Sequence, residues 1–287
     1  MNHPQRLAIL ADIHGNLPAL EAVLDDIAQQ GVDEVLVGGD LVGRGPEGST
    51  VVRRVQELGL PTIGGNHEDY LLGFRRREVP EPWWHEEEWA ASRWMAAELG
   101  QDVVDIIAAL PFALLRPDLR LIHGTPRSNR EGIGPWTPTE MLRQHLQEIE
   151  EPVLVCAHTH RALIRELDEG LVVNVGSVGL PFNRDPRAQY GIFTRGGRFG
   201  WTVELRQVDY SRDRLFEIYD STDFLQEGGV TARLLRLEVE HATPILVPFL
   251  EWVKARSLQA TSEQLTLFFQ EFRPEGSLRD FFERLQT

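Results

Sequence analysis

Five short, largely apolar segments of the chain each stop at residues able to hold a cation. Leu7-Ala-Ile-Leu-Ala11 runs into Asp12 and His14, and Glu34-Val-Leu-Val-Gly-Gly into Asp40. Pro61-Thr-Ile-Gly-Gly65 leads to Asn66 and His67, Leu119-Arg-Leu-Ile122 to His123, and Val153-Leu-Val-Cys-Ala157 to His158 and His160. The set is rich in imidazole and hard oxygen donors and holds no thiolate, a mixture that suits Mn, Fe or Zn and not a structural zinc knot. A carboxylate among such groups can bridge a pair of ions held ~3.5–4 Å apart, and that arrangement activates water for in-line attack on phosphorus. One Asp-x-His pair means little, because a strand-end Asp often only caps a helix. Five segments ending this way by accident is a much harder reading to sustain.

The elements that must position these residues follow from periodicity. Apolar runs bounded by Gly and polar residues suit buried strands, whose carboxyl ends collect ligands in open α/β sheets. Leu20, Val23, Leu24 and Ile27 recur at helical spacing over Leu17 to Ala28, with Asn16 as cap and Pro18 in the first turn. A second helix is expected through Val51, Val52, Val55 and Leu58, and a third strand over Pro61 to Gly64. Two successive β-α-β units therefore return Asp12, Asp40 and Asn66 to one edge. The fold class is α/β.

Composition limits the partners. The 287 residues carry a net charge of −15, which repels an extended phosphate backbone, so no broad nucleic-acid footprint is expected. No apolar run reaches membrane-spanning length and no signal-like segment opens the sequence, so a cytoplasmic protein is expected. Cys156, the one cysteine, sits inside an apolar run and reads as packing.

Residues 70 to 118 read as irregular helix. Trp83, Trp84, Trp89 and Trp94 are expected to pack a helical cap on the sheet rather than to bind a ligand. Thr137-Pro138-Thr139-Glu140 has the form of a capping box with Thr137 as cap. Hairpins are expected over Ala162 to Asn174 and Tyr190 to Leu205, the second turning at Gly196-Gly197. The glycines of Asn174-Val-Gly-Ser-Val-Gly179 permit close backbone approach, to a ligand or simply within a loop. From about Val208 the pattern becomes amphipathic helix: Arg212 to Leu225, Val230 to Ala255 broken by Pro244 and Pro248, Ser262 to Phe272, and Leu278 to Leu285. This divides the chain into a catalytic domain, 1–207, and a helical C-terminal extension, 208–287, that would serve as lid, appendage or homo-oligomer contact. His241 is the one histidine of the extension and reads as a satisfied or solvated residue rather than a ligand.

Asp12-Ile-His14, Gly39-Asp40-x-x-x-Arg44-Gly45, Gly65-Asn66-His67-Glu68, His123 and Ala157-His158-Thr159-His160 resemble, in order, the motifs of the calcineurin-like metallophosphoesterase superfamily. The text between them, including His123-Gly-Thr-Pro-Arg127 and Asn174-Val-Gly-Ser177, is similar to its bacterial and archaeal small phosphodiesterase branch. The likeness spans roughly residues 5 to 205. It implies a four-layer sandwich of two mixed β-sheets flanked by helices. It also implies two divalent ions, Mn first and Fe, Zn, Ni or Co as alternatives. Asp12, His14, Asp40 and His160 would hold one ion, and Asp40, Asn66, His123 and His158 the other, with Asp40 bridging. A hydroxide between the ions would attack, and His67 would protonate the leaving alkoxide or stabilise the phosphoryl oxygens.

Two departures bear on the substrate. The phosphodiesterase branch commonly has an aromatic residue where this chain has Arg44, whereas phosphoprotein phosphatases and dinucleoside tetraphosphate hydrolases have arginine. Arg44 could clamp a phosphate bidentately. The helical extension is the second departure, longer than small branch members need. The leading expectation is a phosphodiesterase acting on small phosphate esters such as nucleotides. Phosphomonoester or Ser/Thr-type phosphoprotein hydrolysis and dinucleoside polyphosphate hydrolysis are the alternatives that Arg44 suggests. A non-catalytic scaffold on the same fold, as in a retromer subunit, lacks the motif histidine that His67 supplies here.

Overall fold

The computed structural model describes residues 5–271. The chain opens with β1 (Arg6–Leu10), α1 (Leu17–Ala28), β2 (Glu34–Val37) and α2 (Gly48–Glu57). The α1 boundaries are those expected: Asn16 Oδ1 accepts from Ala19 N at 3.1 Å and a proline fills the first turn. The expected third strand is only a parallel bridge, Thr62 beside Val37. Residues 64–65 turn away at once to begin α3 (Asn66–Arg76), so no ladder can build.

Between α3 and the next strands lie two short 3₁₀ turns, Glu81–Trp84 and Glu87–Trp89, and then α4 (Ala90–Ala97) and α5 (Gln101–Ala108). The indole of Trp83 stacks on that of Trp89 at 3.6 Å between centroids. Trp83, Trp84, Trp89 and Trp94 pack at the margin of the helical core, as expected. The helical reading does not extend to residue 118. β3 (Ala113–Arg116) pairs antiparallel with β4 (Leu119–Ile122) around a tight turn in which Asp118 has φ +66°.

α6 (Thr139–Gln147) begins without the expected capping box. Thr137 Oγ1 instead accepts from Gly134 N at 2.9 Å, closing the preceding loop, and Pro138 takes the cap position. β5 (Val153–Cys156) follows, then the two expected hairpins, β6 (Leu163–Glu166) with β7 (Leu171–Asn174) and β8 (Ala188–Arg195) with β9 (Trp201–Val208). The extension forms α7 (Arg212–Ser221), α8 (Phe224–Glu227), α9 (Gly229–His241), α10 (Leu246–Ala255) and α11 (Ser262–Glu271). The helix expected over Leu278 to Leu285 lies outside the described residues.

The strands build two mixed sheets, ordered β2-β1-β8-β9 and β3-β4-β5-β7-β6. The two-residue period of β1 explains the layering. Leu7, Ile9 and Ala11 meet Leu121, Val155 and Val173 of the other sheet in a shared core. Ala8 and Leu10 point the other way, into a core with Leu20 and Val23 of α1 and Val51 and Val52 of α2. On the far side of the second sheet, Leu154 and Cys156 pack with Leu142 and Leu146 of α6. This is the expected sandwich of two sheets between helices. Cys156 is fully buried, and burial followed by the nearby Asp12 charge pushes its thiol pKa up, as suits a packing residue.

The extension divides its packing. Leu215, Tyr219, Phe224, Ala232, Leu235 and Val239 join the core that contains α1 and α2. Leu234, Phe249, Trp252 and Phe268 form a smaller cluster of their own. No helix among the described residues is long and apolar enough to cross a membrane.

Candidate metal centre

β1, β2, β4 and β5 deliver their carboxyl ends to one edge, and the loops leaving them are tied together by backbone. Asp12 N donates to Gly39 O at 3.0 Å, His14 N to Asp40 O at 2.9 Å and Ala157 N to His123 O at 2.9 Å. Asp12, His14, Asp40, His158 and His160 all adopt left-handed backbone, with φ between +52° and +66°. Non-glycine residues rarely do so, and such strain clusters where a scaffold overrides local preference to aim side chains.

Two groups of donors result. Asp12, His14, Asp40 and His160 bring one donor atom each within 4.8 Å of one another, and so do Asp40, His123 and His158. Asn66 belongs with the second group: its Oδ1 lies 3.0 Å from His123 Nε2 and 2.7 Å from His158 Nδ1. The chain thus assembles all seven of the expected ligand positions, with Asp40 shared.

Hydrogen bonding shows what this arrangement needs. His14 Nδ1, His123 Nδ1 and His160 Nδ1 face the carbonyl oxygens of Val42, Gly38 and Leu180 at 3.2, 2.8 and 2.6 Å, so each ring carries a proton there. In neutral His14 and His160 the Nε2 lone pairs then point inward, whereas His123 Nε2 turns a proton towards Asp40. His14 Nε2 and His160 Nε2 stand 3.0 Å apart, two acceptors facing each other. His123 Nε2 stands 3.3 Å from Asp40 Oδ2.

Each carboxylate spends one oxygen on backbone and offers the other to the cluster. Asp12 Oδ2 accepts from His158 N at 3.0 Å and Asp40 Oδ1 from His67 N at 2.9 Å. Asp12 Oδ1 is buried without a partner. Converging lone pairs and an orphaned carboxylate oxygen fit cations, which also answers the cost of burying these groups.

Ionisation follows the same logic. Burial lowers His14 to about 3 and, with the charge of His123, His158 to about 4, and it takes His67 and His160 well below the usual range. Such imidazoles stay neutral and able to ligate. For His123 burial is outweighed by Asp40 and Asp12, which lift it to about 10. Burial and the Asp40 charge raise Asp12 well above normal, whereas the imidazoles, His123 first, overcome burial and hold Asp40 well below. Asp40 is the carboxylate that stays charged most readily, as befits a shared one.

His67 lies beside the donors, its ring 5.0 Å from that of His14. It packs on Gly43, which has φ +78° and where a Cβ would come within 2.4 Å of His67 Nδ1. Arg44 Nε donates to His67 Nε2 at 3.2 Å. The expected bidentate phosphate clamp is not how Arg44 stands, because its Nη1 donates to Glu238 Oε2 of α9 at 2.8 Å.

Two acids that matter here were not singled out by sequence. Glu68 is buried and accepts from four backbone amides, Asp40, Leu41, Val42 and Gly65, and so holds the Asp40 loop. Its signal was the motif position directly after His67. Glu238 falls three and four residues after Leu235 and Leu234, on the buried stripe of α9, which is an unusual place for an acid. The loop Asn174 to Gly179 buttresses Asp12: Ser177 Oγ and Gly179 N both donate to Asp12 O.

The model of the calcineurin-like phosphoesterase superfamily domain matches residues 6–196. The chain belongs to that superfamily. This phosphoesterase is 26% identical to a metallophosphoesterase from Sphaerobacter thermophilus, with a TM-score of 0.67 over 84% of this chain and 100% of that one. An uncharacterised protein of Methanocaldococcus jannaschii is 22% identical over 233 residues, 74% of this chain and 90% of that one. A shorter likeness, 38% over 72 residues, links 24% of this phosphoesterase to 26% of a symmetrical bis(5'-nucleosyl)-tetraphosphatase from Psychromonas ingrahamii. The family is one of divalent-metal phosphoric ester hydrolases, and the donor set suits such metals.

Proposed function

We propose that this phosphoesterase is a two-metal phosphodiesterase of the cytoplasm acting on small phosphate esters such as nucleotides. The supporting observation is the pair of His/Asp groups that share Asp40. Asp12, His14, Asp40 and His160 would hold one ion, and Asp40, Asn66, His123 and His158 the other, with Mn the first candidate for a set of imidazole and oxygen donors. Bound there, divalent ions supply positive charge to the phosphoryl oxygens and an acidified water for in-line attack.

The protein's own groups do the rest. The amides of His158 and His67 fix the two carboxylates, and the carbonyls of Val42, Gly38 and Leu180 fix three imidazole orientations. Arg44 and His67 form the edge at which a leaving-group oxygen would arrive. His67, held neutral by burial, would give it a hydrogen bond, with Arg44 setting the ring's orientation. The extension would serve as an appendage whose Tyr219, Glu238 and Ala242 close this edge. Dinucleoside polyphosphate hydrolysis is the second reading, favoured by the local likeness to a symmetrical tetraphosphatase.

The test is hydrolysis of matched aryl phosphate monoesters and diesters by metal-free protein resupplied with Mn²⁺, beside His67→Ala. Metal-dependent diester turnover that falls about 100-fold or more in His67→Ala is expected for a lost hydrogen bond to the developing charge. Absence of metal-dependent turnover on either ester overturns the proposal.

A further inference from the structure

Glu238 is fully buried, and the site's own groups do not explain why α9 places a carboxylate there. Its Oε1 accepts from Ile245 N at 2.6 Å and Leu246 N at 2.8 Å, which closes the turn into α10. Its Oε2 takes Arg44 Nη1 at 2.8 Å. The Arg44 side chain is 15% exposed, and its Cζ lies 5.9 Å from the centre of the Phe182 ring, which itself stacks on His160 at 4.6 Å. The extension grips this corner twice more. Tyr219 Oη donates to Arg44 O at 3.2 Å, and Arg184 N, on the loop carrying Phe182, donates to Ala242 O at 2.9 Å. Arg44 and Arg184 both have left-handed backbone, at φ +64° and +66°, so these bonds hold strained residues in place.

The electrostatic result concerns substrate charge. A free guanidinium beside a dimetal site attracts a dianionic monoester more than a monoanionic diester. Arg44 is not free, because a buried carboxylate in contact with it cancels most of its field while leaving Nε on His67. We propose that Glu238 is a specificity-determining residue, a carboxylate supplied by the extension that neutralises and orients Arg44 and so turns the site from phosphomonoesters towards phosphodiesters. This deepens the phosphodiesterase reading and rests on it.

Glu238→Gln keeps an oxygen for Ile245 N and Leu246 N while removing the charge. At an effective dielectric of about 20, loss of one charge next to the guanidinium raises the monoester-to-diester ratio of kcat/KM by about tenfold. A purely structural role would lower both activities alike and leave the ratio fixed. As a second variant, Arg44→Met with Glu238→Met replaces the pair by apolar groups of similar length, a change that buried pairs often tolerate. Its ratio should stay within about threefold of the wild type, since the pair is close to neutral.

Calorimetric binding of phenylphosphonate, a dianion, and of its monomethyl ester, a monoanion, to the metal-loaded protein gives a readout apart from turnover. Glu238→Gln should tighten the dianion selectively. An unchanged or falling ratio in Glu238→Gln overturns the proposal, and so does a drop of about tenfold in the double variant, which would mean that Arg44 acts as an uncancelled cation. Wild-type protein that hydrolyses neither aryl ester would refute the phosphodiesterase reading instead, and the phosphonate pair would still decide the role of Glu238.

Discussion

Gly43→Ala separates the placement of His67 from the holding of metal. An added Cβ would stand 2.4 Å from His67 Nδ1 and 2.7 Å from its Cβ and Cγ. Ordinary carbon contacts begin near 3.5 Å, so the imidazole must retreat by about 1 Å. The backbone offers no relief, because Gly43 has φ +78°, where alanine is strained by about 1–2 kcal/mol. A misplacement of about 1 Å costs about 100-fold in rate, or about 2.7 kcal/mol of barrier. The three atoms nearest the new methyl all belong to His67, so two ions should still bind at saturating Mn²⁺. The assay is kcat on an aryl diester alongside metal content and Tm. Adding Gly43→Ala to His67→Ala should slow that variant no further, because both remove the same interaction. A kcat within about threefold of wild type, or metal lost in step with activity, would refute the assignment of His67 to the reaction rather than to the scaffold.

Asp12→Ala should release the ion of the His14 and His160 side first. Because Asp12 Oδ2 also holds His158 N, affinity on the other side should fall too, by a smaller factor, in equilibrium dialysis against Mn²⁺. Equal affinity on both sides would contradict that order. Asp26 tests the fold away from the site: hydrogen bonds from Arg206 and then Tyr190 hold its carboxyl below the usual range, against partial burial. A depressed folded pKa gives stability present above the unfolded value of 3.8 and lost as pH falls through the lower folded value. Asp26→Asn should therefore cost about 1–2 kcal/mol at pH 7 in urea titrations, and the difference should shrink below about pH 4. A deficit independent of pH would point to packing instead.

The strand ends that carry the clustered Asp and His residues were legible because each couples an apolar run to a polar stop, and both halves of that pattern are local. The same holds for α1, whose cap, proline and spacing agree. β3 escaped because Ala113-Leu-Leu-Arg116 is short, only partly buried, and joined to β4 by two residues that read as a break in a helical stretch. Pro61 to Gly64 carried a strand-like composition yet only touches β2, since pairing depends on where α3 begins. Thr137 had the right residue type for a cap, but Gly134 N was a competing donor that spacing does not reveal. Arg44 was found and its engagement was not: Glu238 lies 194 positions away, and only the folded extension brings the two together.

Metal stoichiometry tests the central claim most directly. Protein stripped of metal and reconstituted with Mn²⁺ should bind two ions per chain, with diester turnover rising as the second site fills. Binding of fewer than two ions at saturation, or full turnover with one, would contradict a site in which two groups of ligands share Asp40.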